Sequence, residues 1–562
     1  MKKALAALAV LVALAASLLH RPLPVARRGA RERWPHRARG AVHVHTHLSH
    51  DGRGDIDAVV FAAARAGLRY VVVADHNRDP PREWEGYRDG VLVIAGQEKS
   101  TDAGHALVLG ARIPFRLDGD PLSVVEDAAD FGGFVVVAHP TSSHPESRWT
   151  AGFSGVAAVE IVNFAQPNAW PASTIARARG LLGHLADPIG SLLRNFRYDR
   201  RALHLWDAQL ALRPIAGLLG SDSHGGLKAG PLWLPIPSHR RVFELASQHV
   251  LLGQPLRGDD GDRLAILDAL RQGRGYAGLD GMADASGFAF EAREADGRAL
   301  MGETLAFVEQ VRLEAVVDAP PGTTLVLLRD GREIARGGPA LVHHAHAPGV
   351  YRVEVYLDPR LLPGRTSTPW ILSNPIYVFG EAELARRRAA AAFRREVEAR
   401  DAAAPDPIDD FDGGALAASW QLDRSGAAAS LAVDGGALRL DYALGPRPSH
   451  HASVCDWTLR DLSDRRGLRF RVRAQADLRF DVQVRVLEEG APGGVRIWRH
   501  SVRARPAWAN AVVPFDRLKT YDARGGRPDL ARVRGIYFQI DDSHLPPGSA
   551  GSLWIDDLVL LR

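Results

Sequence analysis

The stretch AVHVHTHLSHDG, residues 41–52, opens as a strand and ends as a polar loop, and the fold follows from what it connects to. In a strand, residues two apart face the same side, so His43 and His45 can grip one cation, while His47 either continues the row or turns away. Beyond the loop, Asp57 is placed to cap a helix over Ala58–Ala66, Gly67 to stop it, and YVVVADHN (residues 70–77) to return as an apolar strand covered on both faces. The same rhythm recurs at Leu122–Asp130 with Phe134–Ala138, at Val156–Val162, and at Pro214–Leu219. Repeated βα units give a closed barrel or an open sheet, and both place their sites at the carboxyl ends of strands.

Polar residues break or follow each apolar run at that end: Asp75 and His76, Glu98 after Val91–Ala95, His105, His139 before Pro140, and Asp222 and His224 in GLLGSDSHG. Any one of these histidines alone would read as an ordinary core or loop residue. Together, buried without a cation, they would leave several ionisable groups unpaired at several kcal/mol each. The pattern therefore predicts a multinuclear site of nitrogen and oxygen ligands. Imidazole and carboxylate without thiolate suit Zn first, with Mn or Fe as alternatives. Cys455 is the single cysteine, which excludes an intrachain disulfide.

HxH with its Asp-Gly loop, the strand ending in Asp-His, the His-Pro and the closing GxDxH stand in the order of the polymerase and histidinol phosphatase (PHP) family, which the first half of the chain resembles. The resemblance implies a distorted seven-stranded (βα) barrel. It also implies three divalent metals, held by His43, His45, Glu98 and Asp222, by Glu98, His105 and His139, and by Asp51, His76 and His224. The loop Ser49-His50-Asp51-Gly52 is one residue longer than the usual motif, so His50 or Asp51 could reach the third metal, with Asp51 favoured. Asp75 is expected to orient a ligand imidazole rather than bind metal. Cations sharing Glu98 would acidify a bridging water into a hydroxide nucleophile, with Asp222 or His224 shuttling the proton, so the expected activity is hydrolysis. Most relatives with these motifs are phosphoesterases. The later phrase PWILSNPIYV (residues 369–378) resembles a branch that includes carbamate hydrolases, which keeps ester, amide and carbamate bonds open as alternatives. A small molecule, phosphorylated or not, is the expected substrate.

The segment 163–213, rich in Trp, Arg and Leu, is expected to fold as helices over this site. Arg194, Arg197 and Arg201 either clamp an anion or solvate a helix face, and His144 and Trp149 are pocket candidates.

Outside the barrel, expected over 40–285, the chain divides further. Residues 1–28, with Lys2, Lys3 and an apolar run from Ala4 to Leu19, read as an export signal or uncleaved anchor, which implies a periplasmic or extracellular protein touching a membrane only there. Period-two alternation over 286–380 reads as a small immunoglobulin-like sandwich, in which His343, His344 and His346 are assigned to a loop crossing. Residues 381–404 read as a helical linker. Residues 405–562, through DDFDGG, AVVPFDRL, GIYFQIDD and SLWIDDLVLL, are similar to galactose-binding-like jelly rolls. Trp457, Trp498, Trp508 and Tyr537 there either stack on a glycan or pack the core, and Asp410 and Asp556 are candidates for a structural Ca²⁺. With 70 basic against 66 acidic residues in 562, the net charge of +4 implies no nucleic-acid partner.

Overall fold

The computed structural model describes residues 33–562 except 167–168, 171–172, 174–179, 181–182, 186, 230–231, 295–296, 359–367, 381, 384–405, 449, 489, 492–493 and 521–525. The expected leader over 1–28 and, apart from 382–383, the expected linker over 381–404 lie outside the described residues. Among the described residues no helix is long and apolar enough to cross a membrane. The chain forms two compact units, one of residues up to 112 with 119–388, the other of 389–562 with 113–118.

The first unit is built on β1 (Arg37–Val44), helix α1 (Ile56–Arg65), β2 (Tyr70–His76), β3 (Gly86–Arg88), β4 (Val91–Thr101), β5 (Gly104–Leu109), helix α2 (Pro121–Asp130), β6 (Phe134–Val137), β7 (Ala158–Asn163), helices α3 (Pro188–Asn195) and α4 (Arg200–Leu210), and β8 (Ala216–Ser223). Strands β1, β2, β4, β5, β6, β7 and β8 pair in that order, and β8 pairs back onto β1, closing a seven-strand barrel. Its interior is apolar, with Val42, Val72, Ile94, Leu107, Val136 and Leu218 buried together.

The seven strands of the expected distorted (βα) barrel close, but few helices separate them, so the (βα) repeat is only partly formed. Strands β4 and β5 are antiparallel neighbours joined by the tight turn after Thr101, and β5 and β6 are antiparallel as well. The first helix also starts earlier than expected. Asp55, not Asp57, is its cap and accepts from the Ala58 amide, and Gly67 follows its end at φ 73°, a conformation open to glycine.

Segment 286–380 is not an isolated sandwich. One sheet of four strands (297–300, 289–294, 311–316 and 340–345) stands alone, but strand Ile371–Ser373 pairs with Gly275–Gly278, which pairs with Ser247–Leu251, which pairs with the start of β1. Side chains reinforce this continuity. Asn374 accepts from the Gly217 amide at 2.7 Å and donates to the Gly217 and Gly275 carbonyls, and Trp370 donates to the Ala283 carbonyl. His343 and His344 lie on strand Ala340–Ala345 rather than in a loop.

The second unit is a sandwich of two six-stranded sheets with antiparallel pairing between neighbouring strands. Phe470, Phe480 and Phe538 meet in its interior, with Phe470 and Phe538 edge to face at 5.2 Å between centroids. The chain is thus multidomain and mostly β.

Candidate metal centre

Strand register brings the ligands to one rim. The parallel pairing of β2 with β4 sets His76 beside Glu98, and the β4–β5 hairpin folds His105 back toward the same carboxylate. On β1 the register shifts between Ala41 and Val44, where His43 takes φ 65°, and this irregularity aims both imidazoles at the rim. His139 and Asp222 also have positive φ, at 27° and 47°. For residues with a Cβ this is strained backbone, held by the surrounding structure at a place where side-chain aim matters.

All nine expected ligands meet in four overlapping groups: His43, His45 and Glu98; His43, His139 and Asp222; His76, Glu98 and His105; and His45, Asp51, His76 and His224. Glu98 sits at the centre. Its Oε2 lies 3.2 Å from His43 Nε2, 3.3 Å from His45 Nε2 and 3.0 Å from His76 Nδ1. Its Oε1 lies 2.9 Å from His105 Nδ1 and 3.0 Å from His139 Nε2. Asp222 Oδ1 is 3.1 Å from His45 Nε2 and 3.5 Å from His43 Nε2. Asp51 Oδ2 is 3.4 Å from the Nε2 atoms of both His76 and His224, whereas the exposed His50 stands 3.7 Å from that oxygen and joins none of the groups. His47 turns out to the surface beside Trp84.

A layer behind these residues sets their orientation. Glu160 accepts from His43 Nδ1 at 2.8 Å, so the Nε2 lone pair of His43 points into the site. The same carboxylate accepts from the His139 amide and from Asn163 Nδ2, which also donates to Asp222. Ser49 Oγ donates to Asp75 and accepts from the His76 amide, and it lies 2.9 Å from His45 Nδ1, so Asp75 acts on His45 through a serine. Glu160, Asn163 and Ser49 escaped the sequence reading. The signal was a single carboxylate in the otherwise apolar Val156–Val162, matched by Gly220 on the neighbouring strand, where a Cβ would stand 2.0 Å from the Glu160 carboxylate.

The electrostatics couple buried imidazoles tightly to buried carboxylates. Burial opposes the charge on His43, yet Asp222, Glu160 and Glu98 outweigh it and hold its pKa well above the ordinary value. His76 is likewise pushed up to about 10, burial being overcome by Asp51 and Glu98. Burial and the neighbouring His224 push His45 the other way, to about 4. Glu98 and Asp222 stay well below the carboxylate range, because His43 and the other imidazoles outweigh burial. Even so, His43 Nε2, His76 Nδ1 and Glu98 Oε2 are buried with no hydrogen-bond partner. Imidazole nitrogens crowded against one carboxylate oxygen at 3.0–3.3 Å, those of His43 and His76 with no hydrogen bond satisfying them, are what divalent cations would hold in place of the imidazole protons, so the donor set fits such ions.

A cavity of about 690 Å³ opens from Asp51, Asp222 and His224. His144 lines it, whereas Trp149 is buried against Phe153 and does not. Arg194 pairs with Asp187 and Arg201 with Asp199, Arg197 is exposed, and none of the three is on the cavity wall. In the second unit Trp498 and Tyr537 are buried and Trp508 is exposed. No metal-ligating group forms around Asp410 and Asp556 or around His343, His344 and His346 among the described residues.

No family model matches the chain, and comparison with curated proteins finds no match. Among solved structures, the chain is similar to a two-domain protein from Bacteroides vulgatus containing a predicted PHP-like metal-dependent phosphoesterase, at 15% identity over 58% of this chain and 94% of that one, with a TM-score of 0.30. It is also similar to the family 11 carbohydrate-binding module from Clostridium thermocellum in complex with a β-1,3-1,4-mixed-linked tetrasaccharide, at 15% identity over 28% and 97%, TM-score 0.23. A family 11 carbohydrate-binding module of the cellulosomal cellulase Lic26A-Cel5E of Clostridium thermocellum is similar at 20% identity over 28% of this chain and 95% of that one, TM-score 0.23.

Proposed function

We propose that this chain is a metal-dependent hydrolase, acting on the phosphate monoester of a small organic molecule, with three divalent cations, Zn in the first instance and Mn or Fe as alternatives. The observation that carries the reading is the convergence of nine imidazole and carboxylate groups within metal-ligand reach of one another around the buried Glu98. Bound cations would supply Lewis acidity and a water acidic enough to react near neutral pH. The chain's own residues do the rest. Glu98 offers an oxygen to each of two imidazole pairs, which makes it the natural bridge. Glu160, and Asp75 through Ser49, fix which nitrogen of His43 and of His45 is free to bind. His224 Nδ1 donates to the Asp222 carbonyl and turns Nε2 toward Asp51, and with Asp222 it borders the cavity where a proton would be handed on. Three divalent cations exceed the charge of Glu98, Asp51 and Asp222, which favours an anionic substrate group.

Hydrolysis of an ester, amide or carbamate is the second reading, favoured by the absence of Arg194, Arg197 and Arg201 from the cavity wall. The full chain, chelated and then reloaded with Zn, Mn or Fe, should hydrolyse 4-nitrophenyl phosphate only when loaded. Turnover of 4-nitrophenyl acetate alone would select the second reading. No turnover with any metal would leave the barrel a scaffold for a carbohydrate-binding protein. Glycan binding by the second unit is proposed on Trp508, which is exposed and flanked by the guanidinium groups of Arg471 and Arg473 at 4.9 and 5.4 Å. Export through residues 1–28 is proposed with it.

A further inference from the structure

The cavity beside the metal centre is bordered by Asp51, Asp222 and His224, and the rest of its lining is mostly apolar, with His144, His184, Ser191 and Asn195 among the further polar residues. Phe164 and Trp170 line it, held together by a hydrogen bond from the Trp170 indole to the Phe164 carbonyl and by packing of both rings on Phe196. Ile236, Val242 and Leu245 line it as well. A space of about 690 Å³ is far larger than a phosphate or a short polar alcohol needs, and lies within the size that encloses a whole organic ligand. Apolar walls that wait for a polar substrate would keep poorly bound water, whereas an apolar guest displaces it favourably.

We infer that the substrate is the phosphate ester of a bulky apolar alcohol or phenol, whose aromatic or alicyclic body seats against the apolar lining that includes Phe164, Trp170, Ile236 and Leu245 while its phosphate meets the metal centre. This inference rests on the hydrolase reading and adds the identity of the leaving group. In the reaction water adds across the ester. The new P–O bond forms to the water oxygen, the bond from phosphorus to the leaving oxygen breaks, and the apolar alcohol departs with one proton. His184 lines the cavity, is 8% exposed, and is held below the ordinary histidine pKa by burial and by Arg241. A neutral imidazole there suits a polar substituent on the leaving group better than a second anionic one.

The test uses the metal-loaded full chain with 1-naphthyl phosphate and glycerol 2-phosphate, comparing wild type with Trp170→Ala and with Leu227→Glu, a change at an exposed cavity residue that leaves the core untouched. The wild-type ratio of kcat/KM, naphthyl over glycerol, should be at least about tenfold, and each variant should lower it about tenfold. A wild-type ratio near one, or a ratio unmoved in both variants, overturns the inference. Binding of 1-naphthol to the chelated protein, followed by tryptophan fluorescence, separates it from the hydrolase reading. Naphthol binding weakened by Leu227→Glu without turnover of either ester would sink the hydrolysis and keep the apolar seat, while turnover without naphthol binding would do the reverse.

Discussion

At the barrel rim, Glu98 and Asp222 face six imidazoles, and His43 Nε2, His76 Nδ1 and Glu98 Oε2 are left without a hydrogen bond; on the side of the same unit where segment 286–380 meets the barrel, Arg352 is as deeply buried and leaves its partners satisfied. Its Nε and Nη2 donate to both oxygens of Asp207 at 2.8 and 2.7 Å, its Nη1 donates to Glu354 at 2.7 Å, and its guanidinium lies 5.5 Å from the Trp206 ring. Glu354 also accepts from Tyr356, whose hydroxyl accepts from Arg200. Burial works against the charge of Arg352, but Asp207 and Glu354 hold it firmly protonated. Both clusters bear the desolvation cost of buried charge. Only one closes on itself. The difference separates a structural ion network, complete within the protein, from a cluster whose donor set fits divalent cations.

The largest effect that could break this contrast is expected from Glu98→Gln. Activity should fall about a thousandfold, equivalent to about 4 kcal/mol in the barrier, with at least one cation lost by elemental analysis and the circular dichroism spectrum unchanged. Full activity with all cations retained would remove Glu98 from its bridging role. Arg352→Met should act in the opposite sense. It strands Asp207 and Glu354 and lowers unfolding stability by about 3 kcal/mol in a denaturant titration, while the cation content of the folded protein is unchanged. Glu160→Gln loosens the His43 tautomer and should weaken metal affinity between about 10-fold and 100-fold by competition with a chelator, with the fold intact.

Smaller, and specific to the rim, is a dependence on pH. His76 in the metal-free protein has its pKa raised to about 10, so its contribution to stability is fully present below its unfolded value of 6.5 and is lost as pH rises through about 10. Metal uptake by His76 would displace that proton and strengthen over the same interval. The gap in denaturation midpoint between loaded and chelated protein should therefore widen from pH 6.5 to pH 9. A constant gap would mean that the rim histidines are not the ligands.

Much of the rim was legible because each polar residue interrupts an apolar run at a strand end, as in YVVVADHN and GLLGSDSHG. What escaped notice lay one layer back. Glu160 sits among apolar neighbours on β7 and reads as a lone exception until β8 comes alongside and Gly220 makes room for its carboxylate. Asp51 or His50 was a matter of one residue in a loop, which spacing leaves open; in space Asp51 Oδ2 lies 3.4 Å from Nε2 of both His76 and His224. Between β4 and β5 the chain turns at Thr101–Gly104 into an antiparallel hairpin, because adjacent antiparallel pairing needs only a short connection.

By itself, the sequence determined the periodicity, the apolar strands and the kinds of donor at their ends, since these are local properties of spacing and side-chain chemistry. Only the tertiary structure decided which strands close the ring, that segment 286–380 continues the barrel's sheet through Gly275–Gly278, and how each imidazole is turned. Those depend on contacts between residues a hundred or more positions apart, such as Asn374 with Gly217 and His43 with Glu160, whose partners are chosen by packing rather than by their neighbours in the chain.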